Sequence, residues 1–548
     1  MKLVECVPNF SEGRDESKIR AITAAIEAVP GIRLLDVDPG RNTNRTVVTF
    51  VGDPEAVLEA AFLAIQKAAE VIDMRMHRGE HARQGATDVC PFVPVSGVTM
   101  EECVALARRL GSRVGEELGI PVYLYEAAAS EPRRRNLAYV RQGEYEGLPA
   151  KLIDPAFVPD FGPAVFNPRS GAIAIGAREF LIAYNLNLNT KDSKLANRVA
   201  VAIREQSKVE KDEVGKDLLD EQGAKRYTKG LLSCVKATGW YLEQYRTAQV
   251  SVNLTNYKVT PLHELVETTR KVAAELGLVV TGSELVGLIP KTALLEAGKF
   301  YLHRMNRSTG VSEEELVETA VRSLGLNELY PFDPKKKVIE YVIAEPPLLL
   351  GMNLREFANE VASDSPAPGG GSVAALCGAL SCALSTMVAN LTYTKKGFKQ
   401  VKKELRLLAE EGQTLKDTFL SDVDEDTRAF NQVMAALLAP SEEKASRLAA
   451  ANLAATSVPL GVLRRSLQAL TYAEFVATNG NPNSLSDAGV AAITARACAE
   501  GAYLNVLINL PGLADKAFAT AAKTEAEDLR ARVRTSTETV LAAIEARL

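Results

Sequence analysis

Four histidines occur in the 548 residues, and two of them lie in the stretch Met76–Asp88, Met-His-Arg-Gly-Glu-His-Ala-Arg-Gln-Gly-Ala-Thr-Asp. His77 and His81 are set there among Arg75, Arg78, Glu80, Arg83 and Asp88, with Gly79 and Gly85 as hinges. Histidine is the side chain whose ordinary pKa lies nearest neutrality, so a rare histidine among charges and glycines is a candidate proton carrier. A solvated, charged turn is the plain alternative. The two rings stand four residues apart, which on a helix places them on one face and raises a zinc site. The order His-Arg-Gly-Glu-His departs from the zinc-helix motif, whose glutamate follows the first histidine directly, and Gly79 weakens any helix. The residues therefore favour proton transfer and no metal.

Two further stretches carry chemistry. Pro366-Ala-Pro-Gly-Gly-Gly-Ser372 precedes a small-residue helix, and glycine-rich backbone at a helix start suits an anion. The Lys-Ser/Thr pair of a phosphate-binding loop is missing, and a helix-breaking turn explains the glycines equally well. Asp422-Val-Asp-Glu-Asp426 puts four acids in five positions. These could simply meet the positive end of a helix, or, if buried together, hold one carboxyl protonated as a proton donor.

The elements that must position these groups follow from hydrophobic period. Leu3–Val7 alternates as a strand, Asp15–Ala28 has helical period, Ile32–Val37 and Thr46–Val51 read as strands, Pro54–Ile72 as a helix and Val89–Val98 as a buried strand. That order, βαββαβ, is ferredoxin-like. Met100–Leu118 adds a helix and Pro121–Tyr125 a strand. The order recurs in strand Phe180–Leu188, helix Ser193–Glu205, strands Val235–Leu242 and Gln249–Leu254, helix Leu262–Leu276 and strand Leu278–Thr281. Between the two units, Val158–Gly171 is too rich in Pro and Gly for a regular element. From Asn353 onward Ala and Leu dominate and helical period runs to the end, which predicts an all-α domain. The predicted division is 1–178 and 179–331 for two α/β subdomains, a charged linker over 332–350, and helices over 351–548.

Hydrophobic content of 47% with 24% charged residues and a net charge of −5 fits a soluble multidomain protein and excludes a general nucleic-acid or membrane-surface binder. Ser372–Leu391 has the length of a membrane span, yet its Ala, Ser, Gly and Cys suit a helix buried among others. The N-terminus enters a strand with no signal peptide, and seven scattered cysteines without CxxC pairs predict reduced thiols and a cytoplasmic location.

Over nearly the whole chain these residues resemble the bifunctional formimidoyltransferase–cyclodeaminase family. The resemblance is carried by Leu3-Val-Glu-Cys-Val-Pro-Asn-Phe-Ser-Glu-Gly13, Asp36-Val-Asp38, Thr43-Asn-Arg-Thr46, Gly79-Glu-His81 with Asp88-Val-Cys-Pro-Phe92, and Pro121-Val-Tyr-Leu-Tyr125. Asp160-Phe-Gly-Pro163, Gly239-Trp-Tyr241 and Ser283-Glu-Leu-Val-Gly287 extend it. In the helical third it continues through Ala367-Pro-Gly-Gly-Gly-Ser-Val-Ala374, Val423-Asp-Glu-Asp426 and Ala502–Asn509.

The resemblance implies transfer of a formimidoyl group from N-formimidoyl-glutamate to N5 of tetrahydrofolate, then closure to 5,10-methenyltetrahydrofolate with release of ammonia, both in histidine breakdown. It assigns His81 as the transferase histidine, with near-neutral pKa, and Asp426 as the cyclodeaminase acid–base. It makes Gly162, Pro163, Ala164, Val165, Phe166, Asn167, Pro168, Arg169, Ser170 and Gly171 the folate loop. Asn9, Asp38, Asn44, Gly369, Gly370, Gly371 and Ser372 are candidate substrate contacts. Arg133–Arg135 or Lys395, Lys396 and Lys399 are candidates for folate's anionic tail, mono- or polyglutamylated, with solvated faces as the alternative. The implied partners are small molecules and further copies of the chain, as dimers joined into a ring.

Two departures stand out. Ala82 replaces a proline common in the family, and Ser207–Leu232 is longer and more charged than expected. Rival readings are formyl transfer, a methenyltetrahydrofolate cyclohydrolase in the helical part, or a folate-binding scaffold without catalysis.

Overall fold

The computed structural model describes residues 2–548 apart from Asn42, Glu80, Val214, 220–224 and Glu345. Glu80 of the histidine stretch and part of the 207–232 excursion thus lie outside the described residues. The chain divides into two compact units, residues 1–297 with 321–344, and residues 298–320 with 345–548.

The first unit opens with β1 (Leu3–Cys6), β2 (Asn9–Phe10), α1 (Glu16–Glu27), β3 (Arg33–Gly40), β4 (Arg45–Gly52), α2 (Pro54–Val71) and β5 (Thr87–Ser96). β1 and β2 lie between β4 and β5, antiparallel to both, and β3 pairs with the far edge of β4. This is the ferredoxin-like order the periodicity predicts. The chain then adds α3 (Met100–Glu117), β6 (Val122–Glu126), α4 (Leu137–Val140), α5 (Glu144–Lys151) and β7 (Ile173–Ala177). β7 joins β5 in parallel and β6 joins β7, giving seven strands.

Local chemistry sets the helix starts. Asp15 caps α1, Asp53 caps α2 with Pro54 in its first turn, and Thr99 with Glu102 forms a capping box on α3. One sheet face, with Val4, Cys6, Val48, Phe50, Cys90 and Phe92, packs beneath Ile22, Phe62, Ile65 and Leu110 of these helices.

The second half of this unit holds β8 (Ile182–Leu188), α6 (Ser193–Ile203), β9 (Gln206–Val209), β10 (Tyr227–Lys229), β11 (Val235–Leu242), β12 (Thr247–Leu254), α7 (Leu262–Glu275) and β13 (Val280–Val286). The sheet order β11-β12-β8-β13, antiparallel throughout, repeats the ferredoxin-like pattern. The charged excursion carries the separate hairpin β9–β10. The unit boundary falls within α8 (Lys291–Arg304) and α9 (Glu313–Leu324). Within the stretch read as a charged linker, α10 (Pro334–Lys337) and α11 (Ile339–Ile343) form, and Val338 and Ile339 are buried.

The second unit is helical: α12 (Leu354–Val361), α13 (Gly370–Tyr393), α14 (Lys402–Leu437), α15 (Ser441–Asn479), α16 (Leu485–Asn509) and α17 (Lys516–Glu545), with residues 298–320. α13 is long and apolar enough to cross a membrane, but most of it is buried against α14, α15 and α16. Its small residues allow that approach: a Cβ on Gly378 would come within 2.6 Å of the Phe419 ring.

Candidate active sites

The structure separates the two neighbouring histidines. His77 is buried, its Nε2 donating to the Asn44 carbonyl at 2.8 Å while its Nδ1 accepts from Arg83 Nε at 3.3 Å. Both ring nitrogens are thus spent on structure, and burial, ahead of the Arg83 charge, lowers its pKa. His81 differs. Its Nδ1 lies 2.7 Å from the Ala82 carbonyl, which can only accept, so Nδ1 carries the proton and Nε2 keeps a lone pair with no partner among the described residues. No group of three or more His, Cys, Asp or Glu suited to a metal occurs among the described residues.

A β-bulge builds the surroundings of His81. Asn9 faces Val89 and Phe10 faces Thr87, so Asp88 is an extra residue on β5. Asp88 is fully buried; its Oδ2 accepts from Arg45 Nη1 at 2.5 Å and from Arg141 Nη2, and its Oδ1 from the Gln84 N–H at 3.0 Å. Arg45 Nε donates to Asn9 Oδ1 at 3.1 Å. Burial pushes the Asp88 carboxyl up, but Arg45, Arg141 and these hydrogen bonds outweigh it and hold it below the usual carboxylate range.

His81 keeps a solvent-exposed edge, while the surrounding protein and then Arg45 and Arg141 push it down to about 4, against Ala82 and Asp88. This corrects the expectation of a near-neutral imidazole. The sequence shows mixed charges nearby, but not that two guanidiniums share one carboxylate beside the ring.

The 162–171 loop ends at the same place. Ala86 N–H donates to Ser170 O and Ala172 N–H to Gln84 O, at 2.8 and 3.0 Å. Gly171 has a φ of +68°, and a Cβ there would sit 2.2 Å from the Gln84 carbonyl, so only glycine fits. Gly162, Pro163, Ala164 and Val165 are exposed, and Phe166 leans on Tyr145 with ring centroids 5.5 Å apart. Tyr145 in turn donates to Pro168 O, and Asn167 Oδ1 accepts the N–H groups of Arg169 and Ser170. Arg169 is tied to the Ala69 and Glu70 carbonyls at the end of α2.

Other candidates take structural places. The Asn44 amide is spent on Gly13 N–H and Arg78 O, and Asn9 bridges Val7 O and Arg45, so Asn9 orients and Asn44 ties loops together. Asp38 is raised by burial and responds to Asp36, Lys337 and Glu284, none of them the groups around His81. In the 133–135 cluster, Arg134 is buried on Asp160, and Arg133 pairs at the surface with Glu131. Lys395, Lys396 and Lys399 are exposed. A cleft of about 710 Å3 lined by Leu3, Pro94, Phe180, Tyr257 and Glu340 contains none of the candidate residues.

In the helical unit, Asp426 on α14 meets the first turn of α13. The Ser372 backbone N–H bonds it, and Ser372 Oγ shares its proton between Asp426 Oδ2 at 3.2 Å and Val423 O at 2.9 Å. Burial raises the Asp426 carboxyl, Ser372 opposing. Gly369 is the N-cap of α13, and Gly370 borders Asn505 Nδ2 of α16. A Cβ on Gly371 would lie 2.1 Å from Asp426 Oδ1, so the carboxylate occupies the space that glycine leaves.

The other acids of this cluster have partners. Asp424 accepts the N–H groups of Leu348, Leu349 and Leu350, Asp422 pairs with Arg465, and Glu425 with Arg428. Asp426 has no ion-pair partner among the described residues.

Sequence reasoning missed the roles of Arg45 and Arg141. Arg45 was legible as part of Thr43-Asn-Arg-Thr46, but nothing marked Arg141.

Comparison with known proteins covers both units. Residues 3–178 match the family pattern described as the formiminotransferase domain, N-terminal subdomain, residues 183–344 the formiminotransferase domain, and residues 353–528 formiminotransferase-cyclodeaminase. Formimidoyltransferase-cyclodeaminase of Rattus norvegicus is 44% identical over 556 aligned positions, covering 100% of this chain and 99% of its own. Glutamate formimidoyltransferase of Thermoplasma acidophilum is 46% identical over 58% of this chain and 99% of its own. Methenyltetrahydrofolate cyclohydrolase of Methylorubrum extorquens is 41% identical over 32% of this chain and 88% of its own. A solved structure of formiminotetrahydrofolate cyclodeaminase from Thermotoga maritima aligns with 36% of this chain and 98% of its own, with 32% identity and a TM-score of 0.34.

Proposed function

The chain belongs to the formimidoyltransferase-cyclodeaminase family, and from that premise we infer a bifunctional folate enzyme. It transfers the formimidoyl group of N-formimidoyl-L-glutamate to N5 of tetrahydrofolate, and it cyclises 5-formimidoyltetrahydrofolate to 5,10-methenyltetrahydrofolate with loss of ammonia. The observation that carries this is the 44% identity to a bifunctional relative across both units.

For the transferase step we assign the proton work to His81. N5 attacks the formimidoyl carbon and must lose its proton, and the glutamate nitrogen must gain one before its bond to that carbon breaks. A neutral imidazole with Nε2 unprotonated starts in the state that accepts the first proton and then returns it. The Gly162–Gly171 loop, hydrogen-bonded to residues 84–86, is the proposed folate-binding wall.

For the cyclising step we assign Asp426. N10 attacks the carbon of the protonated amidine, its proton passes to the departing =NH2 nitrogen, and ammonia leaves as the ring closes with the positive charge kept on the methenyl bridge. A half-buried carboxyl with no cation partner among the described residues suits that exchange. Gly369, Gly370, Gly371 and Ser372, at the start of α13, border the proposed pocket.

No metal enters either step. The enzyme is proposed to serve histidine breakdown in the cytoplasm, in keeping with its seven free cysteines. Its small-molecule partners are formimidoylglutamate and folate, with or without a polyglutamate tail. Self-assembly is also proposed: Leu380, Met387 and Leu391 on α13 and Val490, Ile493, Leu504 and Ile508 on α16 are large apolar side chains left exposed.

The test supplies formimidoylglutamate and tetrahydrofolate and follows glutamate, ammonia and methenyl absorbance. His81→Ala is expected to slow glutamate release about a hundredfold or more while cyclisation of supplied 5-formimidoyltetrahydrofolate continues. Near-normal transfer by this variant removes His81 from the mechanism. The resemblance to a cyclohydrolase supports a second reading of the helical unit. Efficient hydrolysis of added methenyltetrahydrofolate without ammonia release would favour it.

A further inference from the structure

Among the described residues, two guanidiniums held by one carboxylate leave a positive charge without its counterpart. Arg45 and Asp88 are buried, Arg141 is largely so, and among the described residues Asp88 is the single carboxylate that both arginines reach. Arg45 uses its Nε and Nη1, whereas Arg141 uses only Nη2. Among the described residues the Arg141 Nε is buried without a hydrogen-bond partner. So are both side-chain amide atoms of Gln84 and the hydroxyl of Thr87, each within four residues of Asp88.

Buried donors and buried charge are costly unless completed, and guanidinium recognises a carboxylate through paired N–H groups. His81 is the ring on which Arg45, Arg141 and Asp88 act. The reaction brings carboxylates to this place from two sources, the glutamate of formimidoylglutamate and the glutamate tail of folate.

We propose that Arg45 and Arg141 form a carboxylate-binding subsite beside His81, with Asp88 and Asn9 as positioning residues, and that a carboxylate seated there makes His81 the stronger base. The proposal rests on the reading of the first unit as the transferase with His81 as proton carrier. While the subsite is empty, two cations set against one anion disfavour a proton on Nε2. An incoming carboxylate cancels the excess, so the imidazole gains its affinity for the N5 proton when substrate is in place. Among the described residues, the charged groups facing His81 come from three elements: Arg45 at the start of β4, Asp88 in the bulge of β5 and Arg141 just beyond α4.

The test uses the full chain with Arg141→Gln and Arg141→Lys, since Arg141 is the less buried of the two arginines. Arg141→Gln is expected to raise the KM for formimidoylglutamate about tenfold or more, the effect of losing a charge-assisted hydrogen bond, with a smaller change in the KM for tetrahydrofolate. Arg141→Lys should recover part of the loss. A thermal melt like that of the wild type would show that the variants fold. A rise confined to the KM for tetrahydrofolate would support the subsite with the folate tail as its occupant.

The second readout is the His81 ring resonance followed by NMR against pH. In the wild type, added L-glutamate should move its titration upward, and in Arg141→Gln it should not. Unaltered KM values for both substrates, together with a His81 titration indifferent to glutamate, would overturn the proposal. An active His81→Ala enzyme combined with a raised KM in Arg141→Gln would keep the subsite and reject His81 as proton carrier.

Discussion

Replacing Gly371 by alanine tests the cyclising site most directly. The new Cβ would fall 2.1 Å from Asp426 Oδ1, 2.5 Å from its Cγ and 2.6 Å from its Oδ2. Non-bonded carbon needs more than about 3 Å, so the carboxylate must retreat by about 1 Å. What gives way is the end of a side chain, so α13 survives. Alanine gains about 1 kcal/mol over glycine in a helix, while displacing the carboxylate from Ser372 costs about 1–3 kcal/mol. The net change in stability is therefore small, about 2 kcal/mol at most.

The proton carrier, however, has moved. Misplacement by about 1 Å costs about a hundredfold in rate. Gly371→Ala should release glutamate normally, release ammonia about a hundredfold more slowly, and accumulate 5-formimidoyltetrahydrofolate. Ammonia and methenyl absorbance measure the step, and a thermal melt confirms the fold. Asp426→Asn, which cannot exchange the proton, is the companion variant and should show the same pattern. Wild-type ammonia release by both variants would refute the placement of the proton carrier at this helix start.

Three further outcomes are expected. Burial, opposed by the Arg178 charge, pushes the Glu5 carboxyl up to about 7, whereas an exposed glutamate loses its proton near 4.5. The stability tied to its proton is present below pH 4.5 and lost as pH rises to about 7, an effect of about 3 kcal/mol. Glu5→Gln should flatten that dependence and melt higher at pH 8; an unaltered pH profile of melting would count against it. Asp424→Ala removes the acceptor of three backbone N–H groups and should destabilise the helical unit by about 2–4 kcal/mol while leaving the rates of folded enzyme unchanged, as a melt and a low-temperature assay would show. Dialysis against a strong chelator should leave both rates intact, and a loss restored by zinc would refute metal-free chemistry.

Much of the fold is local and therefore legible. Asp15, Asp53 and Thr99 with Glu102 start their helices through bonds spanning two or three residues, and alternation in Val4, Cys6, Val48 and Phe50 marks the buried sheet face. The twice-repeated βαββαβ order appears in the periodicity, and so does the change to small-residue helices after Asn353. The short strand Ile173–Ala177 was not legible, because Ala-Ile-Ala-Ile-Gly-Ala carries no polar alternation and its pairing with β5 and β6 is long-range.

The candidate site divides in the same way. His81 and Asp426 stand out by residue type and motif, since proton exchange needs an imidazole or a carboxyl and few are offered in such company. Which histidine is free was settled by folding: Asn44 and Arg83 consume the nitrogens of His77, while Ala82 leaves one nitrogen of His81 open. Folding also lowered the proton affinity of His81, first by desolvating the ring and then by gathering Arg45 and Arg141 from 36 and 60 positions away onto one bulged aspartate. Of the four acids it left Asp426 without a cation partner among the described residues, by giving Asp422 to Arg465, Asp424 to the 348–350 backbone and Glu425 to Arg428. Side-chain type is a property of one position, whereas charge state depends on desolvation and on partners remote in the chain, which exist only once the chain has closed on itself.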